Sequence, residues 1–451
     1  MKIKFLGAAG TVTGSKYLIT TKDRNYLVDC GLFQGLKDLR KRNWRSLDIE
    51  PAEISAVFLT HAHVDHSGYL PRLVAMGFSG PVYCSKGTFD LAKILLPDSG
   101  YLQEEEARYA NAKGYSKHKP ALPLYTRDQA EESLNFFQAV DFQKSFKVFN
   151  DLEVSFTRAG HILGASCISL KAQGKRIIFS GDVGRYQDPI MFPPEPLPDA
   201  DYLVIESTYG DRLHEDVDLM GRMAEVINDA ASKNGAIVIP AFAVGRAQLI
   251  LHIIRKLKDQ KKIPDIKTYL DSPMAINATE LYCEYHDEHR LTEEESFEMC
   301  DVAALTRTTE QSKAINDKPG LKIIISASGM ISGGRILHHV AHYITDERNT
   351  IVLVGYQAVG TRGRDLQEGV TQIKIFGENY NVRAKIESIS SLSAHGDYND
   401  LIHWLNESKI DHPKVFVTHG EPDAALAFSK RLIDTFKWDV EVPKDGAEYD
   451  L

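Results

Sequence analysis

The tightest constraint on this chain is the hexapeptide His61-Ala62-His63-Val64-Asp65-His66, which follows directly on the apolar run Ala56-Val57-Phe58-Leu59-Thr60. Three imidazoles and a carboxylate packed into six positions would repel and strain one another unless a cation organised them. Imidazole nitrogen mixed with carboxylate oxygen is a donor set that Zn2+ accepts. A solvated histidine patch has no need of that spacing. Any fold for this chain must therefore end a strand here and gather further ligands around the turn that follows.

Such ligands recur past other strand-like runs. Short β runs separated by turns occupy 17–20, 26–29, 56–60, 152–157, 176–180 and 202–205. His161 follows the fourth of these, Asp182 follows the fifth, and His419 follows Val415-Phe416-Val417-Thr418. Strand ends that meet at one sheet edge bring distant residues to one point. A two-metal site needs about six or seven ligands and a bridging group. This chain supplies His61, His63 and His161 for one zinc, Asp65, His66 and His419 for a second, and Asp182 as the bridge. Asp29, at the end of its own run, is placed to hold a ligand imidazole by its second nitrogen.

Length and composition frame the rest. At 451 residues the chain can bury two cores. Its formal charge of −9 leaves a polyanionic substrate dependent on local clusters of cations. Five cysteines without a C-x-x-C pair point to reduced thiols and a cytoplasmic home. The N-terminus shows no signal-peptide pattern, and no run reaches the roughly 18 apolar residues of a membrane span. A helix is expected from about 68 to 76, with Pro71 in its first turn and Gly77 as its stop. Residues 85–147 read as mainly helical, with a break at 94–100. From about 209 to 384 strands and helices alternate in the βαβ rhythm of a parallel sheet. Metal-type residues flank that block, so it reads as an insertion between 1–208 and 385–451, capping the metal site.

Together these motifs resemble the metallo-β-lactamase fold and, more narrowly, its β-CASP branch. The resemblance rests on Asp29, the hexapeptide, Gly160-His161, Gly181-Asp182, Glu206-Ser207-Thr208-Tyr209-Gly210, Ser393-Ala394-His395-Gly396-Asp397 and Thr418-His419-Gly420. It is nearest to prokaryotic homologues of the endonuclease subunit of the cleavage and polyadenylation specificity factor. What it implies is an αβ/βα sandwich with an inserted α/β cap, hydrolysing nucleic-acid phosphodiesters through a metal-bridging hydroxide, with Asp65, Glu206 and His395 in catalytic roles. Glu206 beside His395 would hold that imidazole ready to protonate the leaving oxygen. Histidine at position 419 resembles the RNA-acting members and implies an RNA substrate. The wider resemblance implies a possible homodimer and leaves endonuclease and 5′ exonuclease modes open, the endonuclease being expected.

Phosphate recognition is expected in the small-residue loop 326–335, through Ser328, Gly329 and Arg335, because backbone N–H groups before a helix favour anions. Arg246, Arg362 and Arg364 are expected to add positive field. The competing readings are a DNA or small-ester metallohydrolase of the same fold, and a catalytically silent RNA-binding subunit.

Overall fold

The computed structural model describes residues 1–114, 118–215 and 218–451. Residues 115–117, within the stretch expected to be helical, lie outside the described residues. The chain divides into two compact units, Met1–Leu213 with His395–Leu451, and His214–Ala394.

The first unit contains two seven-stranded sheets. One runs in the order Glu448–Asp450, Lys2–Phe5, Tyr17–Thr20, Asn25–Val28, Ile54–Phe58, Val82–Ser85 and Phe137–Val140; the other runs Asp439–Glu441, Lys414–Thr418, Tyr202–Glu206, Lys175–Phe179, Ser166–Ala172, Leu152–Arg158 and Phe146–Val148. Side chains of a strand alternate between its faces. Ile3, Phe5, Tyr17, Ile19, Tyr26, Val28 and Phe58 of the first sheet accordingly meet Phe156, Ile168, Leu170, Ile177, Phe179, Val204 and Phe416 of the second in one core. The intervening Leu18, Leu27 and Val57 face the other way, onto Leu70, Leu73, Leu96 and Tyr125. Truncating a core ring such as Phe156 to alanine costs about 3–5 kcal/mol.

The second unit is built on a six-stranded sheet in the order Ala304–Leu305, Thr268–Leu270, Lys322–Ser326, Ala236–Pro240, Thr350–Val354 and Lys385–Ile389. All its pairings are parallel. Helices Arg246–Asp259, Pro273–Glu284 and Ile336–Tyr343 follow strands as the βαβ rhythm requires. Strand Lys385–Ile389 completes this sheet beside Thr350–Val354, so the second unit runs past residue 384, where the sequence pattern set its end.

Three local expectations are corrected. No break occurs at 94–100, since Lys86–Lys113 is one helix with Pro97 inside it. Pro97 is buried, and a Cβ on Gly100 would stand 2.7 Å from the Thr126 carbonyl oxygen, so close packing holds the helix where local propensity argues against it. Strands Phe137–Val140 and Phe146–Val148 replace helix at the far end of that stretch. Finally, Cys283 and Cys300 form a disulfide across 17 residues, whereas Cys30, Cys84 and Cys167 are free and buried. The pair sits on helix Pro273–Glu284 and the neighbouring helix Glu293–Asp301.

Lys16 is a buried cation outside the histidine cluster. Its Nζ donates to the Gly31 carbonyl and lies 4.6 and 4.7 Å from the ring centres of Phe33 and Tyr69. Burial lowers its pKa from 10.5 to about 8. The unfolded chain therefore binds the proton more tightly, and the penalty of burying the ammonium is full below pH 8 and fades as pH rises toward 10.5. Denaturant midpoints measured from pH 7.5 to 10 should rise for the wild-type chain relative to Lys16→Met, which lacks this proton.

Candidate metal centre

Parallel strands deliver the candidate ligands. Lys175–Phe179, Tyr202–Glu206 and Lys414–Thr418 lie side by side and parallel, so Asp182, Glu206 and His419 emerge at the same edge. Asn25–Val28 and Ile54–Phe58 do likewise in the other sheet, bringing Asp29 and Thr60-His61 together. After His63 the chain makes one helical turn, Val64–Ser67, which turns Asp65 and His66 back toward the strand ends. Cys30 and Leu32 donate their N–H groups to the carbonyls of His66 and Val64 at 2.7 and 2.9 Å. A Cβ on Gly31 would sit 1.5 Å from the Asp65 carbonyl oxygen, so only glycine permits this approach.

Asp29 adopts φ +56°, a left-handed conformation that aspartate tolerates. Its Oδ2 lies 2.7 Å from His66 Nδ1, while Oδ1 accepts the Thr60 N–H at 2.8 Å. That fixes the ring with Nε2 turned inward, 3.1 Å from His419 Nε2. His63 Nδ1 lies 3.1 Å from His61 Nε2 and 3.2 Å from His161 Nε2. Asp182 stands between the two sets. Its Oδ2 is 3.5 Å from His61 Nε2 and 3.6 Å from His161 Nε2, and its Oδ1 is 3.2 Å from His66 Nε2 and 3.5 Å from His419 Nδ1. Asp65 Oδ2 lies 3.6 Å from His419 Nε2.

Every ligand atom of His61, His63, His161 and Asp182 lies within 4.8 Å of the others, and the same holds for Asp65, His66 and His419. Ring nitrogens facing one another at such distances need something electrophilic between them. Nitrogen and carboxylate donors in this arrangement fit a divalent ion of the zinc type. The protonation pattern agrees. Burial, reinforced by neighbouring imidazoles, holds His61 well below its usual value, and burial brings His63 to about 4, so both present lone pairs at neutral pH. Burial would also depress His66, but the carboxylates of Asp182 and Asp29 outweigh it and hold this ring well above its usual value. Asp182 is held well below the carboxylate range, its burial overcome by His419, His66, His395 and His61.

Next to this centre lies the Glu206–His395 pair. His395 Nδ1 is 3.1 Å from Glu206 Oε2, and Glu206 is locked in place as its Oε1 accepts the Val183 N–H at 2.6 Å. His395 is also 3.9 Å from Asp182 Oδ2. Burial opposes its protonated form, yet Glu206 and Asp182 together raise its pKa.

The sequence pattern missed two threonines. Thr60 Oγ1 lies 2.9 Å from Asp29 Oδ2 and 3.1 Å from His61 Nδ1, and Thr208 Oγ1 lies 3.1 Å from His419 Nδ1. Adjacency to His61 could have flagged Thr60; nothing local flags Thr208, 211 residues from its partner.

In the loop 326–335, where phosphate recognition is expected, Arg335 is engaged within the second unit. Arg335 directs Nη1 at Asp271 Oδ1 and the Thr306 carbonyl, at 2.7 and 2.9 Å, and Nη2 at the Arg307 carbonyl at 2.8 Å. It is a strut of the second unit. Ser328 Oγ accepts the Ser332 N–H, and Gly329 packs so tightly on Phe242 that a Cβ would stand 2.7 Å from its ring. Of the arginines expected to add positive field, Arg246 is 4% exposed and caps the Leu392 carbonyl, Arg362 bonds the carbonyls of Lys374 and Ile331, and Arg364 pairs with Glu368.

Residues 9–220 match the metallo-β-lactamase superfamily, 247–366 the β-CASP domain, and 379–443 the Zn-dependent metallo-hydrolase RNA specificity domain. The chain is 34% identical to Ribonuclease TTHA0252 of Thermus thermophilus over 440 residues, covering 96% of each chain. The chain belongs to the β-CASP metallo-hydrolase family. This β-CASP protein is also 29% identical to an RNase J-like protein of Methanocaldococcus jannaschii over 98% of both chains. A crystal structure of a protein of unknown function from Enterococcus faecalis shares its fold, with a TM-score of 0.54 at 14% identity over 100% of this chain and 99% of the other. Membership of the family carries with it a divalent metal, which the histidine and aspartate cluster is built to hold. Among the described residues no helix is long and apolar enough to cross a membrane.

If Asp29 acts by aiming His66, Asp29→Ala should weaken metal affinity about 10- to 100-fold in a chelator competition. His63→Ala should lose metal outright, whereas His395→Ala should keep the wild-type metal content by elemental analysis.

Proposed function

We propose that this β-CASP protein is a zinc-dependent ribonuclease that holds two ions, one on His61, His63 and His161, the other on Asp65, His66 and His419, with Asp182 shared between them. The observation that carries the reading is the division of labour within Asp182, one oxygen facing His61 and His161 and the other facing His66 and His419. Two bound ions polarise a phosphoryl oxygen and lower the pKa of water, so that hydrolysis proceeds at neutral pH.

The chain's own groups supply the rest. Glu206 orients His395 through Nδ1 and favours its protonated form. With Nδ1 committed, Nε2 is the ring nitrogen from which a proton reaches the departing sugar oxygen. The Val183 N–H keeps the Glu206 carboxylate from swinging away between turnovers. Asp29 and Thr208 hold the rings of His66 and His419 so that their other nitrogens face the ions. RNA is the substrate supported by the match to an RNA specificity domain and by a relative named as a ribonuclease. Cleavage within the strand, leaving 5′-phosphate and 3′-hydroxyl ends, is the mode we assign.

Uniformly labelled single-stranded RNA incubated with the zinc-loaded protein should yield internal fragments bearing those ends. His395→Ala should slow the cleavage about 10²- to 10⁴-fold with its metal intact. Zinc-loaded protein inert toward both single-stranded and structured RNA would contradict the assignment.

A further inference from the structure

One segment of the first unit is electrostatically unlike the chain around it. Within 37–45, Lys37, Arg40, Lys41, Arg42 and Arg45 stand against the single acid Asp38, in a protein whose formal charge is −9. Trp44 in their midst is 53% exposed and Leu36 just ahead of them is 46% exposed. Of the chain's three tryptophans, the other two, Trp404 and Trp438, are 0% and 8% exposed. A half-exposed indole among cations presents an aromatic face beside positive charge.

The segment is firmly held. Asn43 is buried, its Oδ1 accepting the Phe33 N–H at 2.9 Å and its Nδ2 donating to the Phe33 carbonyl at 2.8 Å. Arg42 is likewise structural, its guanidinium 4.0 Å from the Phe33 ring centre and paired with Asp445. Lys41 pairs with Asp38 at 2.7 Å. That leaves Lys37, Arg40 and Arg45, exposed and without an ion pair among the described residues. The platform continues the chain that leaves Asp29, through Leu32, whose N–H bonds the Val64 carbonyl inside the metal-binding hexapeptide.

We infer that Trp44 and the cations Lys37, Arg40 and Arg45 form a docking platform for single-stranded RNA, a contact with the substrate strand separate from the metal centre. Aromatic faces stack on any base and cations track the phosphates, the combination by which proteins bind single strands without reading sequence. A duplex offers no unstacked base to Trp44, so the platform selects unpaired strand. The inference rests on the ribonuclease reading above and names how the strand is gripped away from the scissile bond.

Tryptophan fluorescence tests it directly, because Trp44 at 53% is far more exposed than Trp438 at 8% and Trp404 at 0%. The zinc-loaded His395→Ala protein, which spares the strand, is titrated with a 20-nucleotide oligouridylate. Binding should quench and shift the emission, Trp44→Ala should abolish that signal and weaken binding about tenfold, and Lys37→Glu with Arg40→Glu and Arg45→Glu should flatten the slope of log affinity against log salt by about 2. In the His395→Ala background, thermal melting identifies any variant that fails to fold. With His395 restored, Trp44→Ala should raise KM for long RNA with little change in the hydrolysis of bis(p-nitrophenyl) phosphate, which has no strand beyond its scissile bond. RNA bound with unchanged affinity and salt slope by both variants would overturn the platform and leave the ribonuclease reading standing. No RNA binding by any form would overturn both. Quenching by anionic lipid vesicles or duplex RNA but not by the oligouridylate would assign the surface to another partner.

Discussion

Asp182 sets the terms for the structure. A carboxylate removed from water costs several kcal/mol unless opposite charge or hydrogen bonds compensate, and this one is buried among His61, His66, His161 and His419. Those imidazoles are buried too, and burial holds His61 and the adjoining His63 below their usual values while the carboxylates of Asp182 and Asp29 hold His66 above its own. A divalent ion resolves this opposition better than any arrangement of protons, since it satisfies lone pairs and carboxylate together. The sandwich is the means of assembling the cluster. Phe179, Val204 and Phe416 bury themselves between the sheets on three neighbouring parallel strands, and the residues that follow, Asp182, Glu206 and His419, therefore meet at a fixed edge.

Much of this was legible because ligand residues and strand ends coincide in the sequence. The hexapeptide after 56–60, His161, Asp182 and His419 each follow an apolar run, and the helix stopped by Gly77 was readable from Pro71 and that glycine, its observed span being Leu70–Ala75. What stayed hidden depends on contacts between distant residues. Pro97 and Gly100 carry local signals for a break that burial against Thr126 overrides. Strands Phe137–Val140 and Phe146–Val148 lie at the sheets' edges with half-exposed side chains, so little apolar alternation marks them. The glycines and serines of 326–335 have the composition of an anion cradle, yet Phe242 fills the space at Gly329 and Asp271 occupies Arg335. Cys283 and Cys300 pair through the packing of two helices, which an odd cysteine count cannot reveal.

An acidic protein acting on a polyanion must concentrate its positive charge. The arginines first suspected of that role are engaged with carbonyls and carboxylates of the second unit. Lys37, Arg40 and Arg45, exposed and without an ion pair among the described residues, lie on the segment continuing from the loop that orients His66. On the proposed reading, metal held by the histidine cluster would contribute the remaining attraction where the phosphate reacts, so that affinity for the strand and chemistry on it would draw on different parts of one unit.

X-ray absorption at the zinc edge of the loaded protein tests the central claim most directly. The account predicts a first shell of nitrogen and oxygen only, with a second zinc at about 3.5–4 Å. A sulfur shell, or a single zinc with no metal neighbour at full loading, would contradict it.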